Sequence, residues 1–198
     1  MEIRLDGASP VVLPEEDVVR LGLIVGCGIP SEELERVRRI AERAEATRVA
    51  VRYLSARPRS CREVELRLRR DRFDPRTIEA TVDRLVDLGY LDDQSFAAAF
   101  SRDRIRLRPC GVRRLRSELG AKGVAPNDAE AGIRTAMIEE EVSEAELLDR
   151  VAAARAARLG GVEPDVARRR LYGYLERRGF APAGIRAWVE SNWEDETE

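Results

Sequence analysis

The stretch RRDRFDPRTI at residues 69–78 is written a second time, with variation, as ERRGFAPAGI at 176–185. Aligned on their phenylalanines, Phe73 and Phe180, the two phrases frame a third, LGAKGVAPNDA at 119–129, with Val124 in the phenylalanine slot. Nine positions before the slot stand Val64, Leu115 and Leu171, and five before it stand Leu68, Leu119 and Leu175. Two after it come Pro75, Pro126 and Pro182; five after it, Ile78, Ala129 and Ile185; nine after it, Val82, Ile133 and Val189. The spacings of 51 and 56 residues are those of repeated supersecondary units. A chain that writes one grid three times is built from three copies of one local structure.

Each column of the grid has a physical meaning. The residues nine and five before the slot form an i, i+4 apolar stripe on one helix, and those five and nine after it form the same stripe on the next. The prolines suit the first turn of that following helix, where a missing N–H costs nothing, and Asp74 before Pro75 is a good N-cap. Gly123 and Gly179, just before the slot, suit the left-handed residue that ends a helix. Asp71–Arg72 fills that place less well. The slot residue lies in a tight helix–helix turn and is expected to plug the core.

A third helix precedes each pair. Ser60 with Glu63, opening a central helix, and Ser143 with Glu146, opening a leading one, read as capping boxes, and DDQSFAAAFSRDRIRL starts on aspartates after Gly89. The fold class expected is therefore all-α: an elongated tandem array of three three-helix repeats, at 45–91, 92–139 and 140–193, followed by an acidic tail at 194–198. Residues 1–44 form a short N-terminal extension. Its alternation around Asp6–Gly7 is compatible with a small β-hairpin, and after it a long linking helix from Ser31 to Ala56 is expected to run into the first repeat.

Composition narrows the function. The chain has no histidine and only three cysteines, Cys27, Cys61 and Cys110, without ligand-like spacing. Triad hydrolysis, zinc sites and a disulfide framework lose their support, and no metal or cofactor is expected. Neither a P-loop nor a dinucleotide fingerprint is present. Asp92–Asp93 is the most tempting carboxylate pair, but two aspartates between a glycine and a helix are better read as N-cap residues. No apolar run reaches a membrane span, so the expected setting is cytoplasmic. A monomer is the default expectation.

The formal net charge of −2 hides an asymmetry. Residues 48–116 carry 18 basic and 10 acidic side chains, whereas the flanks on both sides are acidic. The candidate partner or nucleic-acid contacts lie in this basic middle: Arg57, Arg59, Arg62, Arg67, Arg69 and Arg70, then Arg104, Arg108, Arg113, Arg114 and Arg116. Arginine–glutamate pairing on solvated faces is the competing explanation. Three-helix units also resemble helix-turn-helix modules, so an independent DNA-binding or nucleoid protein is the alternative function. Glu63, Glu65, Glu118 and Glu176 on the central helices argue against it.

Three blocks carry a more specific resemblance: LVDLGYLDDQSFAAAFSRDR at 85–104, CGVRRLRSELGAKGV at 110–124 and RRRLYGYLERRGFAPAGI at 168–185. In this order they resemble the signature blocks of the RecX family, regulators of the bacterial RecA recombinase, over about residues 45–192. The resemblance implies tandem three-helix repeats and no catalytic site. It further implies binding to RecA filaments on single-stranded DNA, with inhibition of ATP hydrolysis, strand exchange and co-protease activity.

Overall fold

The structure is a computed structural model that describes residues 2–3, 11–24, 26 and 28–192. The chain divides into two compact units, 1–92 and 93–198. In the first, β1 (Glu2–Ile3) pairs antiparallel with β2 (Val11–Val12), followed by α1 (Glu15–Arg20), α2 (Ser31–Leu54), α3 (Cys61–Arg70) and α4 (Pro75–Asp87). The turn expected at Asp6–Gly7 lies outside the described residues.

The long helix expected from Ser31 is α2, 24 residues and so about 36 Å. It serves two cores. Its first half buries Val37 and Ala41 against Leu13 and Val18. Its second half buries Ala46 and Ala50 against Val64, Leu68, Ile78, Val82 and Leu85. Small residues at the second seam let α3 and α4 approach closely. A polar clamp fixes their turn: Glu42 of α2 accepts from the Asp74 backbone N–H at 3.0 Å and from the Thr77 hydroxyl at 2.8 Å.

The second unit holds α5 (Asp93–Leu107), α6 (Val112–Ala121), α7 (Pro126–Glu139), α8 (Glu144–Ala156), a short 3-10 turn, α9 (Pro164–Arg177) and α10 (Pro182–Asn192). Phe96, Ala97, Cys110, Leu115, Leu119, Val124, Ala129 and Ile133 form one core of α5–α7. Leu147, Leu148, Val151, Leu171, Leu175, Phe180 and Ile185 form the next, and Ile105 and Ala136 are buried in the same cluster. Burial also pushes the Cys110 thiol above its ordinary range, as suits a core residue.

The repeated phrase has one backbone meaning in all three places. After α3, α6 and α9 the slot residue donates its N–H to the carbonyl five residues back: Phe73 to Leu68 at 3.3 Å, Val124 to Leu119 at 3.2 Å, Phe180 to Leu175 at 3.3 Å. This closure requires a left-handed residue just before the slot. Gly123 (φ 81°) and Gly179 (φ 84°) supply it, and Arg72 adopts it at φ 66° although it carries a side chain. Val124 and Phe180 are buried, while Phe73 is half-buried on the edge of its core. Both capping boxes form, Ser60 with Glu63 and Ser143 with Glu146, and Asp74 accepts from the Arg76 N–H.

Two close approaches in the second unit depend on glycine. Gly132 of α7 lies where a Cβ would come within 2.5 Å of Ala97 Cβ on α5. At the other, Gly111, before α6, meets Gly179, after α9. A Cβ on Gly111 would be 2.3 Å from the Gly179 carbonyl oxygen, and one on Gly179 would be 2.4 Å from Arg114 Cβ. The same junction carries hydrogen bonds from Gly111 N–H to the Arg178 carbonyl at 3.0 Å and from the Arg178 guanidinium to the Pro109 carbonyl at 2.9 Å.

Candidate partner interface

The candidate arginines fall into two sets, six in the first unit and five in the second, and the structure engages most of them internally. In the first unit the α2–α3 loop and α3 place them. Arg57 reaches forward to Glu63 at 2.9 Å and also bonds the Pro58 carbonyl at 3.0 Å. Arg59 stacks over the Tyr53 ring at 4.0 Å, and Arg67 lies over the same ring at 5.4 Å while bonding Asp71 at 2.9 Å. Arg62 and Arg69 share Glu65, at 2.9 Å and 3.6 Å. Their spacings of three and four residues put each pair on one helix face, so the alternation of arginine and glutamate along α3 becomes a ladder of local ion pairs. Arg70 is exposed and makes no ion pair among the described residues.

In the second unit α5 and α6 present the remaining five. Glu118 sits between two guanidiniums, Arg104 at 2.6 Å and Arg114 at 2.8 Å. Partial burial opposes its ionisation, but hydrogen bonds from Arg114 and Arg104 outweigh that and hold the carboxyl below its ordinary range. Arg104 also covers the Phe100 ring at 4.8 Å. Arg116 grips Glu130 of α7 with two bonds, at 2.7 Å and 2.8 Å, and lowers its pKa in turn. Arg108 and Arg113 are exposed and have no ion pair among the described residues.

Two further basic residues, Arg102 and Arg106, pair across the bundle with Glu139, the last residue of α7, and with Glu140 just after it, the latter at 2.7 Å. Counting charges along the sequence could not find these pairs, because the partners lie more than thirty residues away. Arg134 on α7 was not singled out from the sequence either. It is exposed and, like Arg70, Arg108 and Arg113, lacks an ion pair among the described residues. The guanidiniums open to a partner are thus fewer than the sequence offered.

Asp93 is the first residue of α5 and Asp92 precedes it, the position of helix-start residues. No cluster of three or more His, Cys, Asp or Glu side chains with metal-binding geometry occurs among the described residues. No helix there is long and apolar enough to cross a membrane.

Comparison with known proteins places this arrangement. Family models of RecX match in order, the first three-helix domain at residues 46–85 and the second at 92–133. The regulatory protein RecX of Prosthecochloris aestuarii is 37% identical over 141 residues, covering 71% of this chain and 89% of that protein. That of Chlorobium phaeobacteroides is 34% identical over 142 residues, with 72% and 89% covered. A crystal structure of a regulatory protein RecX shares the fold, with a TM-score of 0.81 over 96% of this chain and 94% of the other at 20% identity. The chain belongs to the RecX family of regulatory proteins.

Proposed function

We propose that this chain is a non-enzymatic inhibitor of the RecA recombinase that binds RecA filaments on single-stranded DNA and suppresses ATP hydrolysis, strand exchange and co-protease activity. The observation that carries the reading is kinship: a RecX relative matched at 37% identity over 89% of its length. Three-helix repeats at 45–91, 92–139 and 140–193 are proposed as the units of contact. A tandem array suits a polymeric partner, since several weak contacts along a filament sum to a preference over the free subunit. In the proposed complex Arg70, Arg108 and Arg113, which have no internal counter-charge among the described residues, meet the acidic surface of the filament or its DNA. The setting is cytoplasmic and the working form a monomer.

The independent DNA-binding alternative is weaker. In a helix-turn-helix module the second helix of the motif enters the major groove. Here those helices are α4, α7 and α10, and their outward charges are wrong for a phosphate backbone. On α4, Arg76 and Arg84 are outnumbered by Glu79, Asp83 and Asp87; on α7, Arg134 stands against Asp128, Glu130 and Glu139; on α10, Arg186 is balanced by Glu190. The deciding experiment is ATP hydrolysis by the cognate RecA on single-stranded DNA, with this chain titrated from well below to equal concentration. Inhibition at substoichiometric ratio is expected. No inhibition at equimolar folded protein, with steeply salt-dependent binding to bare DNA, sinks the recombinase reading in favour of the alternative.

A further inference from the structure

The second unit carries an open groove of about 570 Å³ between α6 and α7 that no internal contact fills. Its floor is apolar, built from Val112, Ile133, Met137 and Val142. Ile138 on its edge is 69% exposed, a large aliphatic side chain left in water. Two of its charged groups are already used: Glu130 is held by Arg116, and Glu144 accepts from the Val112 N–H at 2.9 Å. What remains are the guanidiniums of Arg113, which makes no ion pair among the described residues, and of Arg134, which helps to lower the Glu130 pKa without a direct ion pair. The groove is therefore apolar at its base, and its rim, with Arg113, Arg116 and Arg134 against Glu130 and Glu144, carries one net positive charge.

We propose that this groove is a docking site for a short acidic, amphipathic peptide segment of a protein partner. The proposal rests on the reading that the chain works by binding a protein, and names where and by what chemistry. An aliphatic side chain of the segment fills the floor beside Ile138. Carboxylates flanking it take the planar fork of Arg113 and of Arg134, a pairing that guanidinium geometry favours. Apolar anchors at helical spacing laid into a groove between two helices are a common recognition mode. A nucleic acid fits less well, because the lining has no aromatic ring for a base to stack on and one net positive charge neutralises little backbone.

The test uses the full chain with Arg113→Glu/Arg134→Glu and, separately, Ile138→Ala. All three positions are exposed enough to leave the fold intact, which circular dichroism checks. Each protein is titrated against a labelled peptide of leucine and glutamate, against its leucine–lysine counterpart, against RecA filaments on poly-dT and against bare poly-dT. The acidic peptide is expected to bind the wild type, to prefer it over the double variant about tenfold, and to lose a smaller factor with Ile138→Ala. Filament binding is expected to weaken in step. An acidic peptide that fails to bind the wild type, or binds all variants alike, overturns the groove. Filament inhibition that survives the double variant unchanged also overturns the groove while leaving the recombinase reading intact. Peptide binding that follows the variants, in a chain with no affinity for filaments, supports the groove and removes the recombinase. Loss of poly-dT binding alone in the double variant makes the surface a nucleic-acid site and overturns the peptide proposal.

Discussion

The junction at Gly111 and Gly179 permits a quantitative test, because a second glycine supplies the control. Gly161 has φ 81° and open space where a Cβ would stand; Gly179 has φ 84° and Arg114 Cβ 2.4 Å from that point. Alanine at Gly161 therefore meets only the left-handed backbone penalty, about 1–2 kcal/mol, offset by a gain of about 0.4–1 kcal/mol from a less flexible unfolded chain. A net loss of about 1 kcal/mol is expected there. At Gly179 the same backbone cost applies, but carbon atoms prefer about 3.5–4.0 Å. The shortfall forces the start of α6 away from the end of α9, an overpacking cost of about 1–3 kcal/mol. Gly179→Ala should thus lose about 2–4 kcal/mol. Gly111→Ala, whose φ of −73° carries no left-handed penalty, should show the overlap cost less the same unfolded-chain gain of about 0.4–1 kcal/mol. The pair should be less than additive, because one displacement relieves both clashes. Urea unfolding followed by tryptophan fluorescence reads this, since Trp188 packs against the core of the second unit. Equal midpoints for Gly179→Ala and Gly161→Ala would refute the argument that these helices touch through backbone.

Other expectations follow from single residues. Arg72→Gly should raise stability by about 0.5–1 kcal/mol, the relief of left-handed strain less the entropy of the added glycine, and a lower urea midpoint would contradict it. The Ser101 hydroxyl is buried without a hydrogen-bond partner among the described residues, so Ser101→Ala should be neutral or stabilising by about 1 kcal/mol; a loss above that, by thermal unfolding, argues for a hidden partner. Guanidiniums hold Glu118 and Glu130 below the ordinary carboxylate range, so their contribution is complete above an unfolded pKa of about 4.3 and is lost as the pH falls through the lower folded values. With no histidine in the chain, stability should stay flat between about pH 6 and 7.5 and decline below about pH 4; a step near pH 6.5 would be inconsistent. Arg70→Glu combined with Arg108→Glu touches no internal ion pair and should weaken inhibition of RecA without changing helix content, so unaltered inhibition removes those two from the interface.

The helices were legible in the sequence because the signals that start and stop them are local. Ser60 with Glu63 and Ser143 with Glu146 announce helix starts within four residues, and the prolines at 75, 126 and 182 sit at the first helical position. The turn before Phe73 was legible only in part: Gly123 and Gly179 advertised a left-handed residue, whereas Arg72 adopts the same φ with no such signature. The interface was less legible. A list of arginines carries no record of which have found a glutamate, and Arg104, Arg106 and Arg116 find theirs 14 to 34 residues away, on other helices or, for Glu140, in the turn after one. Two residues on the edge of the open groove, Arg134 and Ile138, were missed for the complementary reason. Arg134 and Ile138 stand one helical turn apart on α7, but only the position of α6 beside them turns that spacing into a surface.

The pairing of so many guanidiniums with carboxylates of the same chain bears on how this protein meets a partner. A cation with an anion about 3 Å away presents a dipole, and its field falls away faster with distance than that of a lone charge. Beyond a Debye length of about 8 Å in physiological salt, the approaching partner sees little more than the small net charge of −2. Long-range steering is then weak, and encounter should proceed at the rate of near-neutral proteins, about 10⁵–10⁶ M⁻¹ s⁻¹. Selection among partners falls to the lifetime of the complex, set by a few open guanidiniums and the apolar surface beside them.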